Sequence, residues 1–463
     1  MSAGHGGGAQ DEGAVEREVR RIYQEVLARA PEHEVQPSLD RVRDVLELLG
    51  DPQRAYQVIH LTGTNGKTST ARMIEALLRE SGLRTGRFTS PHLHTVRERI
   101  ALDGEPISPE RFVETWEDVA PYIAMVDERS QAAGGPPLSF FEVYTVMAYA
   151  AFADTPVDVA VVEVGMGGRW DATNVADGTV EVITRVERDH ERWLGYGLTQ
   201  IASEKVGIIT DGSAVVSDAQ HEEVEGVLLS AAAQHGARLV RAGEELEVLE
   251  RQVAVGGQML TLRTPAAVYA EVFLPLHGAH QATNALLALA AVEELFGGRA
   301  LAGDVVEQAF AGVSSPGRLE LVRSSPTVLV DAAHNPAGVV ALHAALEEAF
   351  AFSRLVGVVG VMGDKDAEGI LAELEPMLDE VVVTRARNER AMPVEDLAEV
   401  AREVFGEDRV HLAERLDDAL DRAVTLAEAG GEEAMTSTGV LVVGSVLLAA
   451  DVRALLKPTE RSA

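Results

Sequence analysis

The stretch that most limits what this chain can fold into runs from Val58 to Thr70. A short apolar run, Val58-Ile59-His60-Leu61, ends in Thr62-Gly63-Thr64-Asn65-Gly66-Lys67-Thr68, and an apolar pattern with helical spacing (Ala71, Met73, Ile74, Leu77, Leu78) begins at once. Strand, glycine turn, helix is the layout of a phosphate-binding loop. Glycines let backbone N–H groups turn inward around phosphate oxygens, and the helix N-terminus adds the positive end of its dipole. Lys67 is then spaced to reach the β- and γ-phosphates, and the Thr68 hydroxyl to ligate Mg²⁺. The strict G-x-x-x-x-G-K-[S/T] pattern opens with a glycine where this chain has Leu61, so a plain glycine turn between strand and helix is the competing reading.

Beyond that loop, short apolar runs alternate with helical patterns. Arg84–Thr89, Val157–Val164, Val180–Val186 and Ser213–Ser217 read as strands; Arg111–Arg129 and Phe140–Ala153 read as helices. Continuous β-branched runs mark strands buried on both faces, and strand–helix alternation implies parallel pairing. After Ser314-Ser315-Pro316-Gly317 the pattern resumes with Thr327–Val330, Leu355–Val361, Glu380–Thr384, Val410–Leu412 and Val440–Val443. At 463 residues the chain exceeds the ~250–300 at which one core stops growing. The expectation is therefore α/β throughout. Residues 18–314 form a domain with a doubly wound, mainly parallel sheet carrying the phosphate loop, and residues 317–463 a smaller Rossmann-like α/β domain. The glycine-rich residues 1–17 are expected to be a disordered tail, and Pro37 to interrupt helical pattern between Glu16 and Leu49.

Composition narrows the function. A formal net charge of −34 argues against a nucleic-acid partner, because a polyanion needs a basic face. It also means that an anionic nucleotide must be met by cations gathered locally. No apolar stretch reaches the ~18 residues of a membrane span, so no membrane partner is expected. With no cysteine the chain has neither disulfides nor thiolate metal sites, which suits a reducing cytoplasm.

Three further motifs carry chemistry. Glu163 closes a buried run and opens Val164-Gly165-Met166-Gly167-Gly168-Arg169-Trp170-Asp171-Ala172-Thr173-Asn174. An acid at the carboxyl end of a parallel strand sits where such sheets bind ligands, and a carboxylate suits Mg²⁺. Asp189-His190 follows another run, with His190 a metal-ligand candidate or a structural histidine. Glu204-Lys205 precedes Val206-Gly207-Ile208-Ile209, and the residues alone leave Lys205 open to being a surface lysine at a helix end.

These motifs, together with Ser90-Pro91-His92-Leu93, Trp193-Leu194-Gly195, His280-Gln281-Ala282-Thr283-Asn284-Ala285, Pro316-Gly317-Arg318-Leu319-Glu320 and Asp331-Ala332-Ala333-His334-Asn335-Pro336, stand in one order over about residues 40–450. In that order they resemble the folylpolyglutamate synthases and bifunctional dihydrofolate synthases of the Mur ligase superfamily. The resemblance implies an ATP-dependent ligase that phosphorylates a carboxylate, of dihydropteroate or of a folate's terminal γ-glutamyl, and passes the acyl group to the amine of L-glutamate. It implies Lys67, Lys205, His334 and Ser445 in catalysis or glutamate handling. ATP contacts fall on Gly63, Thr64, Asn65, Gly66, Lys67, Thr68 and Ser69, with Asn284 on the base, Arg318 on the phosphates and Asp331 on the ribose. Mg²⁺ at two sites involves Thr68, Ser90, Glu163, His190 and a carbamylated Lys205, and K⁺ is a further cation the resemblance brings with it. The pterin and folate side falls on Arg97, Phe140, Phe141, Ala172 and Thr173. Partners are thus ATP, L-glutamate and folate or dihydropteroate; with no extra apolar face evident in the sequence, the chain is expected to be a monomer.

Departures from the family pattern mark where detail is borrowed. Thr68-Ser69 follows the loop lysine where Gly-Ser is frequent, which favours the peptidoglycan-precursor branch of the Mur ligases as the alternative enzyme. Ala332 stands where glycine is usual, and Arg188 where an apolar residue is usual. A nucleotide-binding regulator without turnover would lack metal ligands, yet Ser90, Glu163, His190 and Lys205 are all present.

Overall fold

The computed structural model describes residues 8–31, 37–429 and 438–457. Its contacts divide the chain into two units. One comprises Met1–Glu247, Leu262–Tyr269 and Asn284–Gly312; the other comprises Val248–Thr261, Ala270–Thr283 and Val313–Ala463. The second unit thus takes two segments from within 18–314, which sequence had assigned whole to the N-terminal domain.

The first unit is built on eight strands: β1 (Gln57–Thr62), β2 (Thr85–Phe88), β3 (Ile100–Leu102), β4 (Glu105–Pro106), β5 (Val159–Glu163), β6 (Val180–Ile183), β7 (Ala214–Ser217) and β8 (Arg238–Arg241). Their order is β4-β3-β2-β5-β1-β6-β7-β8. From β2 to β8 the neighbours pair in parallel, and β3 and β4 add an antiparallel edge. β1 and β5 lie side by side with Leu61 opposite Glu163. The chain leaves β1 toward β2 on one side and leaves β5 toward β6 on the other, so the two strands flank a topological switch point, where open α/β sheets bind ligands.

A helix over Gly8–Leu27 occupies most of the segment expected as a disordered tail; residues 1–7 lie outside the described ones. Pro37 falls between that helix and the next, Asp40–Leu48, as expected. Both pack with Pro109–Ala132 and Phe140–Asp154 over one core that includes Ile22, Val45, Phe112, Tyr144 and Phe152. Each such side chain, fully buried, contributes ~1.5–3 kcal/mol of apolar transfer free energy.

Three strands that no sequence pattern announced follow: β9 (Glu247–Ala254), β10 (Gly257–Arg263) and β11 (Val268–Leu274), in the order β11-β10-β9. The C-terminal sheet comprises β12 (Glu320–Ser324), β13 (Thr327–Val330), β14 (Arg354–Val359), β15 (Glu380–Val383), β16 (Val410–Leu412) and β17 (Thr438–Val443), ordered β12-β13-β17-β14-β15-β16. All pairings but β12–β13 are parallel. Alternate residues serve opposite faces. Leu329, Leu355, Val381 and Leu441 enter one core, and Val328, Val356, Val382 and Val440 the other. Burial on both faces is why these strands read as unbroken apolar runs.

Candidate functional site

The phosphate loop leaves β1 through Gly63 at φ +142 and enters the helix Lys67–Glu80 through Gly66 at φ +88, both conformations that a Cβ disfavours. Space is equally tight: a Cβ on Gly63 would come within 1.9 Å of Thr184 Oγ1, and one on Gly66 within 2.6 Å of Asn284 Oδ1. Asn284 is thereby packed on the loop. Thr64 fixes the loop to the neighbouring strand end. Its N–H donates to the Arg185 carbonyl (2.9 Å), and its hydroxyl donates to the Glu187 carbonyl (3.0 Å). Lys67 Nζ donates to the carbonyls of Gly63 and Thr64, both at 3.1 Å.

The Gly63 carbonyl receives a second ammonium. Lys205, at the end of the helix Leu198–Lys205, is 5% exposed and donates to it at 2.6 Å. Burial, with Lys67 adding to it, pushes the Lys205 amine down to about 7 against the pull of Asp189 and Asp171. Near neutrality a large share of it is therefore the uncharged, nucleophilic amine. The alternative of a surface lysine is overturned.

Glu163, at the end of β5 and 2% exposed, faces the loop helix: Thr68 Oγ1 lies 3.0 and 2.9 Å from its two carboxylate oxygens. Ser90 follows Phe88 of β2, which pairs with Val162, so hydroxyl and carboxylate emerge at adjacent parallel strand ends. Among the described residues no group of three His, Asp or Glu side chains is placed to hold a metal ion. A hydroxyl against a buried carboxylate beside a phosphate loop is instead an all-oxygen set, which suits a magnesium ion that keeps waters and phosphate oxygens. His190 is half-buried in left-handed backbone (φ +54), with its Nε2 3.9 Å from Asp189 Oδ2. Arg188 is exposed.

The glycine run after Glu163 is held from below. Asp171 accepts N–H bonds from Met166 (2.9 Å) and Thr173 (3.0 Å); Thr173 Oγ1 meets His60 Nε2 at 2.8 Å, and Tyr149 donates to the Thr173 carbonyl at 2.6 Å. Burial drives His60 down to about 3, so it is neutral at physiological pH. Thr173 is fully buried and Ala172 nearly so. This network was not foreseen; its one sequence signal is His60, a polar residue inside an apolar strand.

Of the two arginines in Arg97-Glu98-Arg99, the second joins the aromatic residues. Arg97 donates to the Ile107 carbonyl (2.9 Å) and pairs with Glu16. Arg99 lies over Phe140 (5.0 Å) and Tyr144 (6.0 Å) and donates to His92 Nδ1 (2.9 Å). Tyr23 packs edge-on to both His92 and Phe140. Phe141 lies apart from them, against Phe88 and Gly165. The cluster that includes Phe140 thus contains Arg99, and Arg97 lies outside it.

In the second unit, Asp331 follows β13 and Ser445 follows β17, its parallel neighbour. Asp331 Oδ2 accepts from Leu319 N–H (2.7 Å) and Oδ1 from Ala333 N–H (2.8 Å), while burial raises its carboxyl and Arg318 opposes that rise. His334 Nδ1 lies 3.0 Å from the Ala332 carbonyl, and Ser445 Oγ caps the helix Val446–Leu456 by accepting from Leu447 N–H. Ala332 is absent from the residues at positive φ, so its β-carbon is accepted without backbone strain.

Comparison with known proteins agrees with this geometry. Residues 130–292 match the Mur ligase middle domain and residues 317–446 the Mur ligase glutamate ligase domain. The chain is 52% identical over 445 residues to the dihydrofolate synthase/folylpolyglutamate synthase of Mycobacterium tuberculosis, covering 92% of this chain and 91% of that protein. A crystal structure of Mycobacterium tuberculosis folylpolyglutamate synthase complexed with ADP and AMPPCP superposes with a TM-score of 0.90 at 49% identity, over 96% of this chain and 99% of that one. Escherichia coli FolC in complex with DHPP and ADP superposes with a TM-score of 0.81 at 26% identity, over 95% and 98%.

Proposed function

Because the chain belongs to the dihydrofolate synthase/folylpolyglutamate synthase family of Mur ligases, we propose that it joins L-glutamate to dihydropteroate, to a reduced folate, or to both, at the expense of ATP. The observation that carries this reading is the pairing of a phosphate loop on β1 with the buried Glu163 on β5, in a chain 52% identical to such an enzyme.

The residues supply the chemistry in order. Backbone N–H groups of the loop and Lys67 take the phosphates of ATP, with Asn284 packed against the same loop. Thr68, Ser90 and Glu163 are the residues to hold Mg²⁺, which when bound neutralises phosphate charge and orients the γ-phosphoryl group. A carboxylate oxygen of the acceptor then attacks the γ-phosphorus, ADP leaves, and an acyl phosphate results. The neutral amine of glutamate adds to its carbonyl carbon, the tetrahedral adduct expels inorganic phosphate, and the amide forms with loss of one proton. Bringing several anions together requires positive charge fixed in advance, which Lys67 and the helix dipole provide.

Lys205 takes a second role. Its uncharged amine can add to CO₂ and release a proton, giving a carbamate that, with His190, supplies oxygen and nitrogen donors for a second cation; an ammonium there would repel one. In the second unit, His334 and Ser445 are assigned to glutamate, and Arg318 and Asp331 to the nucleotide. We place the enzyme in the cytoplasm, the reducing compartment that suits a chain without cysteine; among the described residues no helix is long and apolar enough to cross a membrane.

Phosphate release tests the whole assignment. With ATP and L-glutamate, adding dihydropteroate or tetrahydrofolate should release one phosphate per glutamate joined. Release with a UDP-muramyl acceptor and none with either pteroate would reject the assignment in favour of the peptidoglycan branch.

A further inference from the structure

One cation in the first unit has no role in the site described so far. Arg72 lies on the phosphate-loop helix one turn beyond Thr68, and residues four apart share a helix face. Helical side chains lean toward the helix N-terminus, so a long side chain rooted at position 72 is carried back toward the level of Thr68. The charges acting on it are, strongest first, Arg87, Glu75, Glu98 and Glu163. All four are committed elsewhere. Glu163 is held by Thr68 Oγ1. Glu98 accepts the N–H groups of Leu93, His94 and Thr95, tying down the loop that follows Ser90. Glu75 is bound to Arg87 Nε at 2.6 Å and also accepts the Gly104 N–H.

Arg72 itself makes no hydrogen bond or ion pair with any described residue, although its side chain is half-buried. Burial and the neighbouring Arg87 push its guanidinium down to about 10, so it remains charged at neutral pH. A half-buried cation with five N–H donors and no protein acceptor is a group that a ligand completes. In a chain of net charge −34, an arginine left without a carboxylate partner is set apart from its surroundings.

We propose that Arg72 is a substrate-binding residue that grips the acceptor's carboxylate as that group is converted to the acyl phosphate. Three considerations favour the acceptor over ATP. The phosphates already have the loop N–H groups and Lys67. After Arg87 and Glu75, the charges that act on Arg72 are Glu98, which ties down the loop after Ser90, and Glu163; Lys67 is not among them. A guanidinium fork matches a planar carboxylate or a phosphoryl face with two parallel N–H bonds. Its charge would also offset that of Glu163, easing the approach of a second carboxylate to a buried one.

The inference rests on the ligase reading, and its test separates the two. Wild-type protein, Arg72→Gln and Arg72→Lys are compared with dihydropteroate varied at saturating ATP and L-glutamate, and with ATP varied at saturating acceptor. Wild-type protein that joins no glutamate to any pteroate rejects the ligase reading itself. With an active wild type, Arg72→Gln should raise the KM for dihydropteroate at least tenfold and lower kcat, with the KM for ATP within twofold of wild type. Arg72→Lys keeps the charge without the fork and should fall between. Thermal melting of both variants shows that they fold, and the lysine variant carries the test if the glutamine variant does not. An acceptor KM and kcat within twofold of wild type in a folded variant overturns the proposal, as does a rise confined to the KM for ATP.

Discussion

The two parallel sheets treat charge in opposite ways. In the first unit, ionisable groups are buried within or beside the strands: His60 in β1, Arg87 in β2 against Glu75, Glu163 in β5 and Glu181 in β6. In the second, strands β13, β14, β15 and β17 bury no ionisable side chain among the described residues, and the first buried carboxylate, Asp331, comes one residue after β13 ends. Burying a charge is expensive unless it is paired, so the first sheet accepts costs that the second avoids. On the function proposed above, the first sheet is the one that would hold a triphosphate, a metal and a carboxyl group, and so would need fixed charges; the other presents turns from an apolar platform.

Removing the charge closest to the reaction should have the largest effect. Glu163→Ala is expected to lower ATP turnover by about a thousandfold or more while leaving the far-UV spectrum and melting temperature near wild type. Wild-type turnover in that variant would withdraw the metal assignment. Breaking the buried pair comes next. Arg87→Ala strands Glu75 without its counter-ion and should cost ~3–5 kcal/mol of stability by denaturant unfolding. A loss under 1 kcal/mol would show the pair to be dispensable, and the contrast between the sheets with it.

Glu181 gives a pH test. Burial raises its carboxyl to about 7, against the hydrogen bonds from Thr210. Between about 4.5 and 7 the folded state therefore binds more protons at this site than the unfolded one. Its contribution is complete below about 4.5 and is lost as pH rises through 7. Glu181→Gln removes that dependence and should raise stability by roughly 2 kcal/mol at pH 8, with little change at pH 4. Equal melting shifts at both values would contradict it. The smallest effect belongs to the second unit. Ser445→Ala removes a helix cap and should cost ~1 kcal/mol, read from the unfolding midpoint.

The same contrast explains what was legible in the sequence. Thr62–Thr68 and Glu163 were readable because each ends an apolar run, and the C-terminal strands because burial on both faces leaves them almost wholly apolar. β9 was not, since its burial pattern follows no clear period of two, and the grouping of Val248–Thr261 and Ala270–Thr283 with the C-terminal residues depends on tertiary contacts. The glycines of residues 1–17 outweighed the helical pattern that begins at Gly8. That Arg99 rather than Arg97 lies over Phe140 is a matter of short 3₁₀ geometry that spacing does not give. Lys205 was ambiguous because a lysine near a helix end is usually solvated; only its depth beneath the Gly63 carbonyl shows otherwise.

The central claim is that a carboxylate is activated by phosphorylation before glutamate attacks it, and oxygen tracing tests it directly. Dihydropteroate labelled with ¹⁸O in its carboxylate is turned over with ATP and L-glutamate, and the released phosphate is analysed by mass. The account predicts one labelled oxygen per phosphate, carried from acceptor to product through the acyl phosphate. Unlabelled phosphate, alongside a correctly formed amide, would contradict it.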